Sequence, residues 1–192
     1  DIPFQHASVP VLRKMGRAGD SASYLGLIDE IRGRLPYAVV RSTFLVGHPG
    51  EGRRQFDELL EFQEKAQLDW LGVFDWSRED GTPAAGDKGA LAARLAAPTA
   101  RRRRDIIESR QQAITGARLD RWMGREMDIL VEEPVDGEDI ALGRSGINAP
   151  EVDGSVDVHA PGLTEGEVIR ARIIGLTGVD LHADPEGVRG NR

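Results

Sequence analysis

The sequence predicts an α/β segment followed by an all-β module. Three observations carry this. Residues 1–122 alternate short apolar runs with stretches of helical periodicity. Two of the runs, AVVRSTFLVG (38–47) and LDWLGVFDWS (68–77), are apolar enough for parallel strands covered on both faces. After Trp122 the helical period stops, and short strand-like runs bounded by turn residues take over.

The elements follow in order. DIPFQH leans apolar and leads into Ser8, a residue suited to cap a helix, and VPVLRKM makes that helix short. From Ser21 a second helix places Tyr24, Ile28, Ile31 and Leu35 on one face, and Pro36 stops it. The strand 38–47 leads through Gly-Pro-Gly into a helix over 52–67 with Phe56, Leu59, Leu60 and Ala66 on one side. The strand 68–77 comes next. The β–α–β–α order predicts a parallel sheet with right-handed crossovers. Residues 80–100, rich in Gly, Ala and Pro, read as a connection holding a short helix. PTARRRRDIIESRQQAITGARLDRW then shows helical spacing at Ile106, Ile107, Ala113, Ile114 and Ala117. Its four arginines, Arg101–Arg104, have no interleaved aromatics, which favours a solvated first turn over a nucleic-acid grip. EMDILVEE, EDIALGRS, GSVDVHA and GEVIRARIIGLTGVDLHA read as strands of a small antiparallel barrel, and the boundary is expected at 122–125.

Composition narrows the chemistry. The chain has 192 residues, 40% hydrophobic and 30% charged, as globular proteins do. No window approaches a membrane span, so no membrane partner is expected. DIPFQHASVP lacks an initiator Met and any signal-peptide pattern, and a fragment is expected. There is no cysteine, so no thiolate-held cluster or zinc site, and no thiol catalysis, can come from these residues. His6, His48, His159 and His182 are spread too widely to suggest a metal motif, and no metal ligand is assigned. Residues 1–123 carry 19 Lys+Arg against 17 Asp+Glu, a net +2. Residues 124–192 carry 6 against 15, a net −9, which suits a basic partner and not a phosphate backbone. An acidic surface that only maintains solubility would give the same count.

Three strand ends converge in the first segment: Gln5–Ser8, Gly47–Glu51 and Asp75–Ser77. Ligands of parallel α/β sheets bind at the carboxyl ends of the strands. Arg41, Thr43, Leu45 and Gly47 alternate onto one face, and Gly47 and Gly50 remove side chains where a ligand could come close. On its own, Gly-Pro-Gly is equally well a plain turn.

Four stretches together are more specific: DIPFQHAS, RSTFLVGHPGE, LDWLGVFDWSREDGTPA and GRSGINAPEVDG. They resemble the methylthiotransferases of the radical S-adenosylmethionine (radical SAM) superfamily. The tRNA-modifying branch of that family usually reads like LPVQSGS, STDIIVGFPGE and FMFKYSPRPGT at the first three. Asp1, His6, Ala7, Arg41, Thr43, Phe44 and the run Leu71–Phe74 fall instead with the branch that modifies an aspartate of small-subunit ribosomal protein twelve. The resemblance runs from Asp1 to about Leu181. The chain departs from the family at His48, where Phe is usual, and at Gly52, Arg53 and Arg54, where acidic residues and Thr are usual.

The resemblance implies the second half of a partial (β/α)6 radical SAM barrel over 1–122 and a TRAM domain, a small OB-like antiparallel barrel, over 123–192. It implies a cytoplasmic enzyme using S-adenosylmethionine and two 4Fe-4S clusters, whose cysteines would lie upstream in a CxxxCxxC segment and in a further domain. The fragment would then be inactive alone, with no catalytic residue of its own. Thr43, Leu45 and Gly47 would face the nucleoside, Gln5 and Ser8 would reach the ribose or methionine, and Gly72 to Phe74 would meet the adenine edge. The acidic charge count and the polar loop GRSGINAPEVDG add Arg144, Glu151 and Asp153 as the residues that would dock the basic ribosomal protein, with the ribosome as a further partner; a plain hairpin turn at Asp153-Gly154 with an exposed Glu151 would look the same. Two other readings stay open: a tRNA methylthiotransferase, and a cysteine-free paralogue that only binds a partner.

Overall fold

The computed structural model describes residues 1–79, 81–82, 84, 90–150 and 152–185, with 90–96 described by backbone only. It divides into two compact units, Asp1–Thr115 and Gly116–Arg192.

The first unit is built on parallel runs. β1 (Arg41–Val46) pairs in parallel with β2 (Trp70–Asp75), from Arg41↔Trp70 to Val46↔Asp75. The opening residues lie along the other edge of β1. Ile2 N–H donates to Arg41 O at 2.9 Å, Gln5 N–H to Thr43 O at 2.8 Å, and Leu45 N–H to Gln5 O at 2.8 Å. The helices are α1 (Val9–Lys14), α2 (Ser21–Arg34), α3 (Arg53–Ala66) and α4 (Ala90–Leu119). Asp20 caps α2 by accepting from Ser23 N–H at 2.8 Å, and the Ser23 hydroxyl returns to the Asp20 backbone. Gln67, left-handed at φ 46°, ends α3.

The core of this unit joins Phe4, Phe44 and Val46 to Ile28 of α2, Phe56, Leu59 and Phe62 of α3, and Ile107 of α4. Phe62 is its hub. Its ring centroid lies 5.5 Å from Phe4 and 5.9 Å from Phe44. Leu35, read as part of the α2 face, lies beyond the helix and is 63% exposed.

Three expectations need correction here. β1 is not covered on both faces. Ser42, Phe44 and Val46 are buried, while Arg41, Thr43 and Leu45 are half-buried, because the core formed with α2, α3 and α4 lies on the Phe44 side. The last helix begins at Ala90, well before Pro98, which sits inside it. The alanine-rich run ALAARLAA has enough helix propensity to offset the one amide donor that Pro98 lacks. The arginine run is not simply solvated: Arg101 and Arg102 are exposed, whereas Arg103 and Arg104 are partly buried and paired.

The second unit is a closed five-stranded barrel. Its strands are β3 (Glu126–Pro134), β4 (Ile140–Ser145), β5 (Val156–His159), β6 (Val168–Thr177) and β7 (Asp180–Pro185). They close in the order β3-β4-β5-β7-β6, the partly Greek-key arrangement of an OB-type barrel. Every pair is antiparallel except β5–β7, which is parallel. The barrel is therefore not purely antiparallel as expected. The reason is parity: an odd ring of strands cannot alternate direction all the way round. Ile129, Val131, Ala141, Val158, Ile173 and Leu181 fill the interior. Gly143 has no room for a side chain, since a Cβ there would lie 2.6 Å from Leu130 O. On the outside, register partners carry opposite charges. Arg170 meets Asp128 at 2.9 Å and Arg172 meets Glu126 at 2.5 Å; such exposed pairs add little stability.

Candidate functional site

A cavity of about 730 Å³ opens at the carboxyl ends of the parallel runs. Gln5, Leu45, Phe74 and Asp75 supply its strand side, and His48 and Trp76 close it beyond the strand ends. Arg13, Lys14 and Arg17 line the opposite wall, from the end of α1 and the turn after it. The cavity is thus part aromatic, part polar, with cations along one side. That composition suits a ligand with a flat ring and a negatively charged end.

The sequence-predicted residues fall into three groups. Gln5, Leu45 and Phe74 line the cavity. Thr43 and Gly72 are register partners, each two residues before Leu45 and Phe74 on the same strand face, and neither lines the cavity. Ser8 and Gly47 are tied into the backbone instead. Ser8 is buried, its N–H donates to His6 Nδ1 at 2.9 Å, and its carbonyl accepts from Leu12 at the start of α1. Gly47 has φ 81°, and a Cβ there would lie 2.6 Å from the Ala100 Cβ, so helix α4 makes the close approach. At Gly50, φ 100°, the neighbour is the Lys14 side chain.

Gln5 is the strained residue at the rim. Its φ is 66°, and the His6 N–H donates back to Phe4 O at 2.8 Å, a γ-turn of the rare positive-φ kind. Such backbone costs about 1–3 kcal/mol and persists only where its surroundings hold it. Here His6 holds it. Its Nδ1 accepts from Ala7 N–H at 3.0 Å and Ser8 N–H at 2.9 Å.

Glu51 ties the neighbouring turn together. Its buried carboxylate accepts the Gly47 N–H, lies 3.3 Å from the Arg103 guanidinium and 3.9 Å from His6 Nε2. Arg103 also donates to the Glu51 carbonyl at 3.0 Å and stacks over Phe56 at 5.1 Å. Arg104 reaches Asp75 at 3.1 Å, which partly neutralises that cavity carboxylate. Sequence reasoning missed this function of His6, Glu51, Arg103 and Arg104. The available signal was an acid directly after Gly-Pro-Gly and a run of arginines with no nucleic-acid pattern. His48 places Nδ1 3.0 Å from Pro49 O and presents its ring edgewise to Trp76 at 6.1 Å. Burial pushes its pKa below the usual histidine value.

In the barrel unit, Arg144 pairs with Glu132 at 2.6 Å. The Asp153 carboxylate accepts the Ala149 N–H at 2.8 Å and so organises its own loop. Glu151 lies outside the described residues. Among the described residues no group of three or more His, Cys, Asp or Glu is placed to hold a metal ion. None of their helices is long and apolar enough to cross a membrane.

A parallel-sheet unit with a site at its strand ends, followed by an OB-type barrel, defines the class. The barrel matches the TRAM domain over residues 123–185. Nearly the whole chain is similar to proteins named ribosomal protein uS12 methylthiotransferase RimO. Identity is 39% to that of Salinispora arenicola, over 98% of this chain and 38% of the relative. It is 43% to that of Saccharopolyspora erythraea, over 97% and 38%, and 42% to that of Roseiflexus castenholzii, over 98% and 39%. The chain is similar to these relatives along nearly its whole length and spans under two-fifths of theirs.

Proposed function

We propose that this chain is the part of a RimO-type methylthiotransferase that forms one wall of the S-adenosylmethionine site and carries the substrate-docking barrel. The observation that supports it most is the cavity at the strand ends, with Gln5, Leu45 and Phe74 on its wall. The whole enzyme would add a methylthio group to the β-carbon of an aspartate in the small-subunit ribosomal protein. Bound S-adenosylmethionine, together with a reduced cluster, would supply hydrogen-atom abstraction from an unactivated C–H bond, which acid–base side chains cannot perform. The donor set fits a division of labour: with no cysteine among 192 residues, both 4Fe-4S clusters fall to residues outside this chain.

The residues here bind, orient and exclude water. Leu45 and Phe74 offer apolar surface to the adenine ring, and Gln5 offers an amide to the ribose. Arg13, Lys14 and Arg17 supply positive charge for the methionyl carboxylate. In the second unit the net charge of −9 over 124–192 favours a basic protein surface. OB-type barrels also bind oligonucleotides, which keeps a tRNA substrate as the second reading. A partner-binding protein without chemistry is the third, and an upstream reading frame encoding CxxxCxxC would exclude it.

The test uses the whole enzyme, reconstituted without oxygen. Leu45→Asp and Phe74→Asp should weaken S-adenosylmethionine binding at unchanged iron content. Unchanged binding in both variants would remove the cavity from the cofactor site.

A further inference from the structure

The geometry points to His6 as a positioning residue that sets the affinity of the strand-end site for S-adenosylmethionine by stapling the Gln5 turn. This rests on the proposed cofactor site and deepens it. Gln5 reaches the cavity from a positive-φ backbone that a glutamine does not adopt unaided. The next three residues decide whether it stays there. His6 is fully buried, and its Nδ1 takes both the Ala7 and the Ser8 N–H, at 3.0 and 2.9 Å. An Nδ1 that accepts carries no proton, so the ring proton sits on Nε2. Nε2 makes no hydrogen bond and faces the Glu51 carboxylate at 3.9 Å. Glu51 in turn holds the Gly47 N–H and Arg103.

His6 therefore stands between the two turns that frame the cavity. One nitrogen closes the turn carrying Gln5. The other lies against the carboxylate that closes the turn after β1. His6 itself does not line the cavity. Its effect on a ligand must pass through Gln5, and leaving one buried hydrogen-bonding group unpaired in a complex can cost on the order of 10- to 100-fold in affinity.

The two ring nitrogens can be separated by substitution. Asparagine places its Oδ1 where Nδ1 stands and has nothing at Nε2; glutamine reaches the Nε2 position and leaves Nδ1 empty. In whole, cluster-loaded enzyme, His6→Ala and His6→Gln should bind S-adenosylmethionine at least ~10-fold more weakly. His6→Asn should stay within about threefold of the parent. Amide exchange at Ala7 and Ser8, followed by mass spectrometry, should accelerate in the first two and hold in His6→Asn. Melting temperature and iron content identify any variant that has lost its fold, and a residue that only fills the core would lose affinity in all three alike. The inference is overturned if His6→Asn binds as poorly as His6→Ala, or if His6→Ala binds as tightly as the parent. A failed cofactor site shows separately: Leu45→Asp would then leave binding intact, while the exchange pattern of the His6 variants would still report the staple.

Discussion

Gly47 shows how much one position in a turn can carry. It needs a left-handed backbone, and Ala100 of α4 occupies the space where its Cβ would go. Gly16, at φ 69°, has nothing within reach of an added Cβ. Gly16→Ala should therefore cost about 1 kcal/mol, the backbone penalty alone. Gly47→Ala adds overpacking and should cost roughly 2–4 kcal/mol, read from urea midpoints at constant slope. His48 gives a pH-dependent case. Burial, the first cause, pushes its folded pKa below the unfolded value near 6.5. The unfolded chain then binds the proton first. The stability from keeping this ring neutral is complete above about pH 6.5 and is lost as pH falls toward the folded pKa. His48→Phe removes the titration, and the drop in stability between pH 7.5 and pH 5 should shrink in unfolding experiments. At this scale sequence reading singled out Gln5, Leu45, Gly47 and Phe74 because they show themselves as motif letters; the structure sets Gln5, Leu45 and Phe74 on the strand-end cavity and Gly47 against α4. It missed His6 and Glu51 as a pair because their contact joins the ends of two separate runs, and no local spacing records that.

Helix α4 shows the same limit for an element. Its helical period was legible from Ile106 onward, but its start and its attachments were not. A buried ladder fastens it. Gln63 Nε2 donates to Ile107 O at 2.9 Å, Gln111 Nε2 to Leu68 O at 2.8 Å, and the Thr115 hydroxyl to Asp69 O at 2.8 Å. These are polar residues on a buried face, so hydrophobic spacing is blind to them. Gln111→Leu should cost about 1–3 kcal/mol, because the Leu68 carbonyl loses its partner in a buried place. An exposed control, Arg101→Leu, should change the unfolding midpoint little. The parallel β5–β7 pair was hidden for a different reason. Strand periodicity reports which face is buried, not the direction of the neighbour, and only ring closure fixes that.

For the whole molecule, the change of texture after Trp122 was legible because a sheet period of two replaces a helical one. The barrel closes on its own strands and fills its own interior. The piece 116–192, expressed alone, should give a dispersed, strand-rich spectrum; a helical or disordered spectrum would count against its independence. Its acidic surface should act on encounter with a basic protein and fade as salt rises. Asp153 is a poor site for probing that surface, since it holds its own loop; salt dependence of binding is the cleaner readout. The most direct measurement uses the complete gene product, reconstituted without oxygen and supplied with S-adenosylmethionine and reductant. Ribosomal protein uS12 and bulk tRNA are offered in parallel and analysed by mass spectrometry. One methylthio group is expected on an aspartate of the ribosomal protein, none on the tRNA, and slower modification by Phe74→Asp. Methylthiolated tRNA, or an unmodified ribosomal protein after incubation with cluster-loaded enzyme, would contradict that expectation.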